Sequence, residues 1–220
     1  MSMTTLKHWR LIIPGFLIVV TLILLIQENF NELLGALKAF SDFQFDDMII
    51  TVIVVVFGVL YYILGIRNVL WNPYYKRVQN NIKNTLIKPF SQQLDSQQEK
   101  YLRAGRRLII IFYHFIDNDK SLSEKAKGVR FNGLIWTSTV DLTIISAIGS
   151  LVFWVKLAIE TNSYNLWMAL ILLITSLVSL GLVQLATRRH ISLSDEQLEF
   201  ICQLHKQELK EKIYELLQNP

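Results

Sequence analysis

Cysteine, proline and glycine are all scarce in this chain of 220 residues, which holds 1, 4 and 9 of them. The single Cys202 excludes an intrachain disulfide and leaves no thiolate cluster for zinc or iron–sulfur chemistry. The four histidines, His8, His114, His190 and His205, stand at no metal-ligand spacing. With so few glycines and prolines there is no low-complexity linker. Also missing are the Gly-rich dinucleotide fingerprint, the P-loop, the GxSxG elbow and the HExxH pair. No enzyme activity, cofactor or metal is therefore expected. His114 pairs with Asp117 only on paper and reads as a core or boundary histidine.

What the chain has in excess is apolar sequence: 52% of its residues are hydrophobic. A soluble domain of this length is usually a little under half apolar. The excess sits in four blocks, which points to membrane spans. Residues 11–27 carry no charge, and 17 residues of helix make about 25 Å, near the hydrocarbon thickness. Pro14 is placed in the first turn of this span, where its missing N–H costs least. The run is read as a retained span, because no small-x-small cleavage site follows it promptly. The second span is 48–66, between Asp47 and Arg67. It is rich in Val and Ile, but in lipid only a helix satisfies its own backbone groups. The third is about 137–155, and the fourth lies within about 164–186. The expectation is an all-α membrane protein with four transmembrane helices and a small helical cytosolic layer. Its parts are a hairpin in 1–66, a basic insert in 67–135, a second hairpin in 136–187 and a C-terminal helix in 188–220.

Charge gives an orientation. Residues 67–135 hold 13 Lys and Arg against 5 Asp and Glu, whereas 28–47 hold one Lys against five acids. Lys7 and Arg10 precede the first span, and "TRRH" follows the fourth. Both termini and 67–135 are thus expected in the cytosol, and the connections 28–47 and 156–163 on the other side. Asp46 and Asp47 read as interface charges before the second span. Arg67, Lys76 and Arg77 are its inside anchors, with Trp71, Tyr74 and Tyr75 at the headgroup level.

In the insert, Pro73 and Pro89 bracket an expected helix, 74–88, with Val78, Ile82 and Leu86 on one side. It reads as an amphipathic connector on the lipid surface. The basic residues Arg67, Lys76, Arg77, Lys83, Arg103, Arg106 and Arg107 form a candidate lipid or partner surface. Direct nucleic-acid binding is not expected. A second helix is expected over 93–116, with Leu102, Ile109, Phe112 and Ile116 on a buried stripe. Asp117 and Asp119 begin like a calcium loop, but Leu122 and Gly128 occupy the positions that need Gly and Glu. Ser121 with Glu124 reads as a capping box, and so does Ser194 with Gln197 at the head of a C-terminal helix reaching about 217. Cys202, Leu209 and Leu216 are seven apart, so that helix reads as a packed element or as a dimerisation zipper.

Asp141 is an acid inside an apolar segment. Two readings are open. "STVD" fits a capping box with Ser138 as N-cap, which puts Asp141 in a first turn near water. Alternatively Asp141, Ser146, Ser150, Thr175 and Ser179 form a polar interhelical contact or line a pore. Ser146 with Ser150 and Thr175 with Ser179 are small-xxx-small pairs. Spans three and four are therefore expected as the inner, subunit-contacting layer, and the greasier spans one and two as lipid-facing.

The four spans, the basic insert after "ILGIRNVLWNPYYKRVQ" and the re-entry through "KGVRFNGLIWTSTVD" give a layout that resembles the small four-span membrane proteins of bacterial anti-phage defence, the membrane subunits of the Kiwa system among them. The resemblance covers layout along the whole chain and carries over no functional residue. It implies a homo-oligomeric inner-membrane sensor working with a cytosolic protein partner. Four-span pore-forming effectors of cyclic-nucleotide defence systems look similar. The two readings are thus a non-enzymatic sensor or scaffold, and a channel or membrane-disrupting effector.

Overall fold

The structure is a computed structural model that describes residues 3–41 and 48–218. Asp46 and Asp47 lie outside the described residues. Among the described residues every regular element is helical. In chain order they are α1 (Met3–Ile26), α2 (Phe30–Ser41), α3 (Met48–Ile63), α4 (Arg67–Ile87), a 3-10 turn (Lys88–Phe90), α5 (Ser96–Arg103), α6 (Arg107–Asn118), α7 (Lys120–Ile159), α8 (Ser163–Leu204) and α9 (Lys206–Gln218). Three of them, α1, α7 and α8, are long and apolar enough to cross a membrane. The fourth apolar segment is broken, with Ile50–Ile63 bent by 59° from the helix that begins at Arg67. Gly65 causes the break. Its φ of +63° suits glycine, and its carbonyl accepts from Asn68 N at 2.9 Å. The 16 residues of α3 make only about 24 Å.

The chain divides into two compact units, and all three divisions fall inside helices. The first unit is Met1–Trp71 with Leu134–Leu185. Its core includes Phe153, Tyr164, Met168, Ala169 and Leu172, closed by Leu33 of α2. The sequence reading had no element in 28–47. The residues that start α2 form a capping arrangement, with Asn29 Oδ1 accepting from Glu32 N and Glu32 Oε2 accepting from Glu28 N, both at 3.0 Å. Phe30 then packs edge-on to Tyr164, ring centroids 5.2 Å apart.

The second unit is Asn72–Gly133 with Ala186–Pro220. The stripes expected on its helices are buried: Val78, Ile82 and Leu86, and Leu102, Ile109, Phe112 and Ile116. Several boundaries differ from expectation. Helix α4 begins at Arg67 and carries Pro73 inside it. The helix expected over 93–116 is two helices. Asp95 caps the first, accepting from Gln97 and Gln98 N at 2.8 and 2.7 Å. Gly105, at φ +59°, turns the chain before the second. Lys83 Nζ holds that turn through the carbonyls of Arg103 and Gly105, each at 2.8 Å. Ser194 and Gln197 do not open a helix, because α8 runs through them without a break. Ser194 Oγ instead donates back to His190 O at 2.9 Å. The seven-residue spacing from Cys202 to Leu216 crosses the α8–α9 junction, so it does not lie on one helix. Helix α9 packs on α5 and α6, burying Leu209 and Ile213.

Asp119, and not Ser121, caps α7, accepting from Leu122 N at 2.8 Å. It also faces His205 Nε2 at 3.2 Å, while Glu208 faces His205 Nδ1 at 3.3 Å. The Leu122 N–H, followed by His205, holds the Asp119 carboxyl below the usual carboxylate range. A depressed folded pKa contributes stability above the unfolded pKa, about 3.9, that is lost as pH falls through the folded one. Asp119→Asn is therefore expected to flatten the acid limb of Tm against pH below about 4. An unchanged acid limb in thermal scans would count against this cap.

Candidate functional site

Pro14 has no N–H to donate to the carbonyl of Arg10, four residues back. It sits well inside α1, not in the first turn as expected, so that carbonyl loses its helical partner. Arg67 supplies a replacement: its Nη2 donates to Arg10 O at 3.0 Å. The same guanidinium grips Asp141 as a fork, Nε to Oδ1 at 2.7 Å and Nη2 to Oδ2 at 2.6 Å. Three segments thus meet at one side chain: α1 through Arg10, the α3–α4 bend through Arg67, and α7 through Asp141. The Asp141 side chain is 1% exposed and that of Arg67 13%. Tyr61, also buried, sets its hydroxyl beside the carboxylate without meeting hydrogen-bond geometry. On the same segments the rings of Trp71 and Trp136 lie 3.9 Å apart.

The capping reading of Asp141 is overturned. Helix α7 is already five turns long at Ser138, whose hydroxyl donates back to Leu134 O at 2.9 Å. Asp141 is mid-helix and depends on its arginine.

Around this clamp the helices come very close. A Cβ added at Gly15 would sit 1.9 Å from Val54 O, and one at Gly58 2.0 Å from Leu11 O. Both distances are far inside van der Waals contact, so α1 and α3 touch backbone to backbone. Gly149 of α7 faces Thr21 of α1, 2.9 Å from a built Cβ. Within the unit α1 contacts both α3 and α7. Yet only 11% of its apolar window is buried, against 33% for α7 and for α8, so it stays the more exposed helix, in line with the expectation for the first span.

The polar residues of α7 and α8 mostly face each other. Thr143 Oγ1 donates to Ser179 Oγ at 2.8 Å, Ser176 Oγ to Thr143 O at 3.0 Å, and Ser150 Oγ to Ala169 O at 2.8 Å. Ser146 is buried beside them on α7. Thr175 is the exception, donating to Ile171 O of its own helix. Of the five polar candidates, four are buried in the unit and one is not.

The other end of α1 is capped in trans. Tyr164 Oη donates to Leu24 O at 2.8 Å, and Lys156 Nζ to Leu25 O at 2.9 Å. Asn162 Nδ2 reaches Glu28 O at 2.9 Å. A helix end leaves its last carbonyls unpaired and carries partial negative charge, so a cation is favoured there. Lys156→Met is expected to lower stability by about 1–2 kcal/mol. Tyr164→Phe is expected to cost about 1 kcal/mol. Chemical or thermal unfolding of the detergent-solubilised chain measures both, and no change in either would remove this cap.

The basic candidates divide by location. Arg67 is taken up by Asp141. In the second unit Lys83 holds the Gly105 turn, Arg103 pairs with Glu99 and Asn84, and Arg107 donates to Tyr101 O at 3.0 Å while its guanidinium lies 3.8 Å from the Tyr101 ring centre. Lys76, Arg77 and Arg106 are exposed.

The residues that sequence reasoning missed are Arg10, Gly15, Gly58, Lys156 and Tyr164. A proline–glycine pair inside an apolar run and a lone glycine among branched residues were the available signals. No family model, curated protein or solved structure matches the chain.

Proposed function

We propose that this chain is a four-span integral protein of the bacterial inner membrane, acting without catalysis as a homo-oligomeric sensor or scaffold for a cytosolic protein partner. The second span is Ile50–Ile63 with its bend at Gly65. Both termini and 67–135 face the cytosol, on the strength of the Lys and Arg distribution. The resemblance to Kiwa membrane subunits is the ground for setting this work in anti-phage defence.

The observation that carries the reading is the closed fork of Arg67 on Asp141. An acid that served an ion path would face a cavity or water. This one is neutralised on the spot by a neighbour that also ties down a third helix. The hydroxyls of Thr143, Ser150, Ser176 and Ser179 are likewise engaged in joining α7 and α8. Polar chemistry in the apolar segments is spent on architecture.

The test is the mass of the complex extracted in mild detergent from cells, followed by reconstitution into liposomes. The reading predicts a homo-oligomer with a soluble protein at fixed stoichiometry, and liposomes that keep an imposed ion gradient. A bare monomer would overturn the oligomeric and partner claims. Liposomes that leak ions would overturn the scaffold in favour of a pore. Truncation before Ser194 is a poor substitute. Leu198 and Ile201, fully buried, would be lost with it.

A further inference from the structure

Two helix junctions in the second unit are one residue long. Asp119 alone separates α6 from α7, and His205 alone separates α8 from α9. Their side chains meet, His205 Nε2 facing Asp119 Oδ2 at 3.2 Å. The other ring nitrogen, Nδ1, faces Glu208 Oε2 in the first turn of α9 at 3.3 Å. The imidazole thus has a carboxylate at each nitrogen, and the two carboxylates come from different elements. Phe115 of α6 and Phe200 of α8 pack beside it, with ring centroids 5.3 and 5.9 Å away, and its side chain is 26% exposed. The other charged or titratable groups around it are few. His114 of α6 places Nε2 3.6 Å from Glu208 Oε1. Lys125 of α7 places Nζ 5.6 Å from the Phe200 ring centre. The chain neighbours of the two junctions, Lys120 and Lys206, are exposed.

We propose that His205 is a proton-operated latch that holds the C-terminal helix α9 to the α6–α7 junction, closed when the ring is protonated and loosened when it is not. The proposal stands on the second unit alone and goes beyond the reading above, since it needs neither a membrane nor a partner. The argument is a count of donors. A neutral imidazole carries one N–H, and its other nitrogen is an acceptor. Between two carboxylates it satisfies one and turns a lone pair toward the other. An imidazolium donates from both nitrogens. Histidine changes charge between about pH 5 and 8, where carboxylates are ordinarily ionised. The second bond is therefore present at the acid end of that range and is lost as the pH rises. Protonation of His114 beside Glu208 acts in the same direction, and lysines keep their charge throughout. The latch matters because α9 has little else to hold it. Its buried residues are Leu209 and Ile213.

The test is hydrogen exchange of the full chain in detergent at about pH 5.8 and about pH 7.8, either side of the ordinary histidine range. Each rate is corrected for the pH dependence of free amides. Peptides from α9 are compared with peptides from α1 as the reference. The expected result is that α9 opens about two- to fivefold less often at the lower pH, the scale of a part-exposed ion pair, while α1 does not change. His205→Gln should abolish the difference, and His114→Gln should keep most of it. No pH difference at α9 in the unmodified chain overturns the proposal, as does an equal change in α1. A difference that survives His205→Gln, or one that His114→Gln removes, overturns it too. If His205→Gln leaves α9 unprotected at both pH values, Glu208→Gln decides, because it keeps the ring and removes one of its two anions. A smaller pH difference in Glu208→Gln supports the latch, and an undiminished one overturns it.

Discussion

Replacing Arg67 with Met, or Asp141 with Leu, is expected to destabilise the chain by about 3–5 kcal/mol, because each leaves the other charge buried without its partner. Replacing both together is expected to recover most of that loss. A buried pair swapped for apolar groups of similar volume is often neutral or better, since neither charge then needs solvation. The double variant should therefore be more stable than either single one, which is the reverse of additivity. Arg67→Lys should fall between. An ammonium is a point charge without the planar fork, and it cannot serve both carboxylate oxygens and Arg10 O with the same geometry. Reversible unfolding of the four proteins in one detergent, followed by helical circular dichroism, gives the cycle. Additive losses would mean that Arg67 and Asp141 do not act as a pair.

The second large effect concerns Gly15 and Gly58. In most helices a glycine-to-alanine change is favourable by about 1 kcal/mol. Here the added methyl would lie 1.9 or 2.0 Å from a backbone oxygen of the facing helix. No side-chain rotation relieves a contact with backbone, so α1 and α3 must move apart. That movement also carries Arg10 away from Arg67. Gly15→Ala and Gly58→Ala are each expected to cost about 3 kcal/mol, at the upper end for overpacking. Gly181 is the internal control, because nothing lies within 4 Å of a Cβ there. Gly181→Ala should be neutral or stabilising by up to about 1 kcal/mol. Equal effects at all three positions would contradict the close α1–α3 approach.

Helical content and the apolar segments were legible because hydrophobic run length and period are local properties. Val78, Ile82 and Leu86, and Ile109, Phe112 and Ile116, share a buried stripe on the strength of spacing alone. Helix ends were less legible. Ser138, Ser121 and Ser194 each stand three residues before an acid or Gln, yet none begins a helix. Nothing before Ser138 or Ser194 stops the helix already running, so their hydroxyls bond back to it. Asp119 takes the cap that Ser121 was given. The α5–α6 break, conversely, needed the backbone of Gly105 to be seen. The clamp was half visible. Asp141 stands out as an acid in an apolar run, but its partner lies 74 positions away. No spacing rule reaches that far. The consequence of Pro14 was visible only in part. Its missing N–H is plain from sequence, but the acceptor it frees matters because Arg67 happens to reach it. The glycine contacts were hidden for the same reason, since a helix-to-helix approach depends on two elements at once. Lys156 looked like an ordinary flank of a span, and only the position of the α1 terminus gives it a task.

The most direct test of the account is the side of the membrane on which three exposed positions lie. On a Cys202→Ser background, single cysteines are placed at Thr161, Gln92 and Glu211, and sealed cells are treated with a membrane-impermeant maleimide. The four-span account predicts that only the cysteine at 161 is labelled in sealed cells, and that those at 92 and 211 react after permeabilisation. Labelling at 92 in sealed cells, or opposite behaviour of 92 and 211, would contradict it.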